Sequence, residues 1–185
     1  MRVPWAGTVA AQTVKLTLGH GTAIDNPRHV AAVKFAEVAK AKSNGRIEVT
    51  VAPASQLGDD AAMVTALRTG AMDMSANSQG AVANVVPEYA AFGMPFLFSS
   101  QAHAWKVMDG AAGKELAEKS AEKGLVVLGY WDNGIRHMTN SKRAVNAPDD
   151  LKGLKMRTME NPVHIQAYKA FGIIPTPMAF PEVFT

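Results

Sequence analysis

Between residues 13 and 77 the hydrophobic period switches four times between strand-like and helix-like, and few folds tolerate that order. TVKLTLG (13–19) alternates as a strand does. Asp25-Asn26-Pro27 then supplies a cap and a first helical residue for a helix reaching about Ser43, with Ala31, Phe35 and Val38 as its apolar stripe. SNGR marks a turn, and IEVTVA (47–52) is a second alternating strand. QLGDD opens a helix that carries Met63, Ala66 and Leu67 on one face and stops at Gly70. MDMSAN (72–77) makes a third short strand. Strands joined by helices at this spacing pair in parallel, because a parallel neighbour needs a crossover. The chain reads as α/β.

Downstream, VVPEYAAFGMPFLFSS is rich in aromatics and proline and reads as a packed connector. Helices are expected over about 101–109 and 112–123, with Gly110 and Gly124 as breaks. LVVLGYW (125–131) reads as a buried strand and IRHMTN (135–140) as another, with the intervening DNG as a hinge. NAPDDLKG then starts a strand–helix–strand unit. Leu154 and Met156 alternate with Lys155, Arg157 closes that strand, and the unit ends in IIPTPM. Its helix is capped by Asn161-Pro162, carries Val163, Ala167 and Ala170 at helical spacing, and stops at Gly172. The sequence ends at AFPEVFT, where Phe180 onward reads as a helix just beginning, so a fragment of a longer protein is expected.

Composition narrows the function. The 185 residues are 48% hydrophobic and 19% charged, enough for one full domain, or one and part of another. The net charge of +3 is scattered, and its densest run, Lys142-Arg143, has no aromatic interleaving, so nucleic acid is not an expected partner. Cysteine is absent, which excludes disulfides and thiolate metal sites. No stretch reaches the roughly 18 apolar residues of a membrane helix. The opening MRVPWAGTVAAQTVKL looks like the tail of a secretory signal peptide; residues 1–11 are read as its remnant and the parent protein as exported.

Enzyme motifs are missing: the sequence holds no GxSxG, HExxH, CxxC or GxxxxGK[ST]. GHGTAI (19–24) follows a strand but lacks the third glycine of a dinucleotide loop, and a turn explains it better. Histidines 20, 29, 103, 137 and 164 show no metal-ligand spacing, so neither a metal nor a cofactor is expected. Asp59 and Asp60 begin a helix, where carboxylates complement the dipole.

What remains is polar residues at the carboxyl ends of strands, the edge along which open α/β sheets bind ligands. His20 follows the first strand, Asn77 and Gln79 the third, Trp131 and Asn133 lie at the end of the strand read at 125–131, and Arg157 ends a later one. Arg136 lies in a segment that could turn its side chain into a cleft. Surface salt bridges would explain the arginines and core packing Trp131. Two arginines near a cleft with few acidic neighbours favour an anion, and the planar fork of arginine matches a carboxylate.

GRIEVTVAPASQLGDD, GAMDMS, PFLF, NGIRHMTNSKRAV, DLKGLKMR and PTPMAFPEVFT, in that order, resemble the solute-binding protein of a tripartite ATP-independent periplasmic (TRAP) transporter, dicarboxylate-binding (DctP) type. The resemblance covers nearly everything from residue 13 onward. It implies a two-lobed α/β periplasmic binding protein, type II-like, with mixed sheets flanked by helices. The first lobe would span 12–132 and an incomplete, truncated second lobe 133–185. It also implies a periplasmic receptor that hands an organic acid to a sodium-driven membrane permease. By the same resemblance Arg157 makes a bidentate salt bridge with the ligand carboxylate and Arg136 is a second pocket arginine. Phe180 packs on the ligand, Asp60 makes a polar contact, and Asn77-Ser78-Gln79 lie in a first-lobe segment that varies with specificity.

The acid itself is read from side-chain chemistry. Asp60, Asn77, Gln79, Asn133, Glu160 and His20 offer donors and acceptors for hydroxyls, and Trp131 and Phe180 could stack on a sugar ring. Asp60 and Glu160 would repel a second carboxylate. A hydroxylated monocarboxylate, such as a uronate or aldonate, is therefore expected over a C4-dicarboxylate or a 2-oxo acid. Two other classes stay open: a sugar-acid lyase or isomerase using Asp60 and a histidine, and a degenerate interaction module.

Overall fold

The alternating segment VKLTLG forms β1 (Val14–Gly19) in the computed structural model, which describes residues 12–184. The signal-peptide remnant read at 1–11 lies outside those residues. Burial rises along β1, from exposed Val14 to buried Leu18 and Gly19. α1 (Pro27–Lys42) begins where the Asn26 side chain accepts from the Arg28 N–H, with Pro27 in the first turn. Lys40 and Lys42 occupy its last turn, where cations complement the helix dipole. The buried stripe of α1 differs from the one expected: Ala32 is fully buried, Phe35 half-buried, and Ala31 and Val38 exposed. Ala32, with nothing beyond its Cβ, lets the helix lie against the sheet, so the bulkier valines face away.

β2 (Ile47–Ala52) pairs in parallel with β1, from Val14 opposite Ile47 to Gly19 opposite Ala52. α2 (Asp60–Thr69) is capped by Asp59, whose carboxylate accepts from the Ala62 N–H, and ends at Gly70 with φ 74°. Met63 and Val64 are its buried residues. β3 is shorter than expected, only Met74–Ser75, and pairs in parallel with Leu18 and Gly19. The sheet order is β2-β1-β3, with helical crossovers as the sequence pattern requires.

α3 (Gln79–Val82), a 3-10 turn (Pro87–Gly93), α4 (Gln101–Met108) and α5 (Ala111–Glu122) follow. Ala83, Val86, Tyr89 and Leu116 form their common core, so the expected connector is packed at Val86 and Tyr89, whereas its second half is not: Met94, Phe96 and Leu97 stand exposed. The strands expected at 125–131 and 135–140 are not formed. Leu125 is buried, but Val126, Leu128 and Ile135 stand open, and no strand among the described residues pairs with either segment. Alternating apolar residues make a strand only where a neighbour supplies the ladder and a surface to pack on.

A second parallel pair joins β4 (Lys155–Thr158) to β5 (Ile174–Pro177) through α6 (Pro162–Ala170), with Arg157 opposite Thr176. Asn161 caps α6 by accepting from the Val163 and His164 N–H groups. Its buried face is His164 and Tyr168 rather than Val163, Ala167 and Ala170. Tyr168 packs with Leu151, Leu154, Met156 and Ile173, and its polar tip disguised a core position. Mixed sheets were expected; every strand pair among the described residues is parallel. No helix among them is long and apolar enough to cross a membrane.

Candidate functional site

Parallel strands aim all their carboxyl ends the same way, and the loops leaving those ends meet around one cleft of about 370 Å³. One part of its lining comes from the β1–α1 and β2–α2 loops, the starts of α1 and α2 and the segment after β3. Residues 133–137, the end of β4 and residues 178–181 form the other. Six of the ten residues singled out from the sequence line it: Arg157, Arg136, Phe180, Asp60, Asn133 and Glu160.

Arg157 is half-buried and fixed from behind: its Nε and Nη2 both donate to the Met178 carbonyl, at 3.0 and 2.7 Å. The guanidinium carbon lies 5.9 Å from the centre of the Phe180 ring, within cation–π range. Burial, and then the nearby Arg136 charge, hold the guanidinium below its ordinary pKa. Arg136 itself makes only a 3.7 Å contact from Nη2 to the Met159 sulfur. Neither arginine forms an ion pair among the described residues. Elsewhere on the lining Asp60 Oδ2 accepts from the Ser78 N–H at 3.0 Å and the Ser78 hydroxyl at 2.7 Å.

The other four residues sit off the wall. Trp131 packs on Phe35 of α1, ring centres 6.5 Å apart. Gln79 accepts from Asn161 Nδ2 at 3.3 Å, tying α3 to the start of α6. Asn77 is half-buried and its Oδ1 has no hydrogen-bond partner among the described residues. His20 is fully buried behind the β1–α1 loop. The Thr22 N–H donates to its Nδ1 at 3.2 Å, so Nε2 carries the proton and donates to His29 Nδ1 at 3.0 Å.

With Nδ1 accepting and Nε2 donating, that chain holds His20 as the neutral ring. Burial, then the charges of His29 and Arg28, lower the His20 pKa below 6.5, and burial does the same to His164. Below pH 6.5 the unfolded chain therefore binds more protons than the folded one, and stability is lost as pH falls. A melting temperature that declines from pH 7.5 to 5.5, with a shallower decline in His20→Gln, is the expected result. A flat profile would show that these rings titrate freely.

Residues 18–185 match the model for bacterial extracellular solute-binding protein, family 7. The chain belongs to that family. It is 40% identical over 178 residues to the 2,3-diketo-L-gulonate-binding periplasmic protein of Escherichia coli (strain K12), covering 96% of this chain and 54% of that protein. Its fold superposes, with a TM-score of 0.90, on the sugar acid binding protein of Advenella mimigardefordensis in complex with galactonate, at 36% identity. That match covers 94% of this chain and 56% of the other. The TRAP periplasmic solute-binding protein of Polaromonas sp. JS666, bound to D-erythronate, gives 0.89 at 43% identity, covering 94% and 57%. The α/β architecture is thus that of the TRAP periplasmic binding proteins. The chain spans about half the length of the curated relatives it matches.

In this family 7 chain, sequence reasoning missed Thr22, Arg28 and Ser55 on the cleft wall. Ser55 carried no usable signal: it follows Ala54 in PASQLG, and both adopt left-handed backbone, φ 57° and 52°. Arg28 carried one, a cation in the first turn of a helix.

Proposed function

We propose that this chain is the ligand-capturing part of a periplasmic receptor that takes an organic acid anion and delivers it to a TRAP membrane permease. Residues 12–132 would be its first lobe and 133–185 part of its second. The observation that carries this reading is the trio Arg28, Arg136 and Arg157 on one cleft, none in an ion pair among the described residues. Lys40 and the half-buried Lys119 have carboxylate partners, and the cleft gathers three arginines with none among the described residues. A carboxylate entering the cleft loses its hydration and must regain charge-assisted hydrogen bonds. Arg157 and Arg136 supply them, and Phe180 offers an apolar face.

The favoured ligand is a hydroxylated monocarboxylate, a uronate or aldonate. Asp60, Asn133 and Glu160 supply acceptors for hydroxyl groups and would oppose a second carboxylate. The galactonate- and D-erythronate-bound relatives support that class. A lyase reading finds less support. Asp60 Oδ2 is engaged by Ser78 and His20 is buried off the wall; His137 lines the cleft, but no hydrogen bond among the described residues joins it to Asp60 as an acid–base pair.

The test is a thermal-shift panel of galactonate, glucuronate, succinate, malate and a 2-oxo acid. An acid at a hundred times its Kd should stabilise the fold by about 2.7 kcal/mol. Sugar acids are expected to dominate and to be recovered chemically unchanged. Stabilisation by succinate or malate alone overturns the ligand class, and turnover of a sugar acid overturns the receptor.

A further inference from the structure

The α1 side of the cleft breaks a local rule. Arg28 stands in the first turn of α1, a turn with no acidic residue, where a cation faces the positive end of the helix dipole. Positions that break such rules are where a functional demand outweighs local stability. No carboxylate among the described residues pairs with it. Instead its Nη2 donates to Asn133 Oδ1 at 2.9 Å and its Nη1 to the Ala76 carbonyl at 3.5 Å. These partners, 105 and 48 residues away in sequence, hold the guanidinium at the wall shared with Thr22, Asp60 and Ser78.

Two of the five N–H groups of Arg28 are used, which leaves three without a partner among the described residues on a half-buried side chain that lines the cleft. Asp60, on the same cleft, spends Oδ2 on Ser78, while Oδ1 borders Gly21, whose missing side chain keeps that corner open. A fixed donor and an open acceptor on one cleft are the complement of a hydroxylated ligand. Arg157 and Arg136 reach the cleft from β4 and residues 133–137, whereas Arg28 reaches it from the start of α1.

Resting on the receptor reading above, we propose that Arg28 is a specificity-determining residue. It donates to a hydroxyl or carbonyl oxygen of the ligand remote from the carboxylate held by Arg157 and Arg136. The cleft would then measure the acid, favouring long oxygenated chains over short ones. A guanidinium cannot accept a hydrogen bond, so the group it reads must offer a lone pair, and a deoxygenated end leaves both it and Asp60 unsatisfied.

Calorimetry on wild-type protein and Arg28→Met, with galactonate and with L-lactate, tests this. Arg28→Met is expected to weaken galactonate about tenfold or more, and lactate, which has no distal oxygen, by less than about twofold. Arg28→Lys, which keeps a donor, should recover part of the galactonate affinity, and it serves as the readout if Arg28→Met melts early. Equal weakening of both acids would assign Arg28 to holding Asn133 alone, and unchanged galactonate binding would remove it from the site; either overturns the proposal. Wild-type protein that binds neither acid sinks the receptor reading itself, whereas wild-type binding with an indifferent Arg28 variant sinks only this assignment.

Discussion

Replacing Arg157 with lysine is expected to weaken capture of the acid by about 2 kcal/mol or more, the loss typical of breaking a desolvated charge pair. That corresponds to roughly thirtyfold in Kd. Charge is retained in this substitution, so the loss isolates geometry. Two N–H groups of Arg157 converge on the Met178 carbonyl and stop the guanidinium from rotating. Its remaining N–H groups are therefore aimed before the ligand arrives, and little further entropy is lost on binding. A lysine ammonium could reach either Met178 or the carboxylate, but it has no fork with which to serve both in fixed directions. It would also lose the planar contact with Phe180. Calorimetry on the best ligand of the panel decides it, and an unchanged Kd would take Arg157 out of the site.

The residues that made the fold legible are those whose signal is local. Asn26, Asp59 and Asn161 each cap a helix by accepting from a backbone N–H two or three residues on, and that depends on nothing outside the segment. Val126, Leu128 and Ile135 show the opposite case. Their alternation is strand-like, yet a strand depends on a neighbour that the segment cannot specify. The site divides in the same way. Arg157, read at a strand end, and Arg136, read inside a strand, both line the cleft, and a permanent charge there has few uses besides an anion. His20 and Trp131 sit at equally suggestive positions, but position along a strand does not say whether a side chain faces the cleft or the interior. His20 turned inward to His29, and Trp131 was taken up by Phe35. Arg28 escaped notice because its turn reads first as a cap, and only the contacts with Ala76 and Asn133 show which way its side chain goes.

The end of β1, which delivers the first loop of the cleft, depends on one buried contact. Met63 of α2 is fully buried, and its sulfur lies where a side chain on Gly19 would go: a Cβ added there would sit 2.8 Å from the Met63 sulfur. Met63→Ala should destabilise the fold by about 2–5 kcal/mol, through lost burial and the cavity left under the sheet. Gly19→Ala in the native background overpacks the same space and should cost about 1–3 kcal/mol. Combined, the two changes should cost less than their sum, because the added methyl occupies part of the volume vacated by the methionine. The rescue will be partial: one carbon replaces a longer side chain, and the Met72 methyl 3.3 Å from the same point must still adjust. Denaturant unfolding of the three variants measures the coupling. Strict additivity would mean that Met63 relaxes away from Gly19 freely, and that β1 reaches the cleft without this contact to position it.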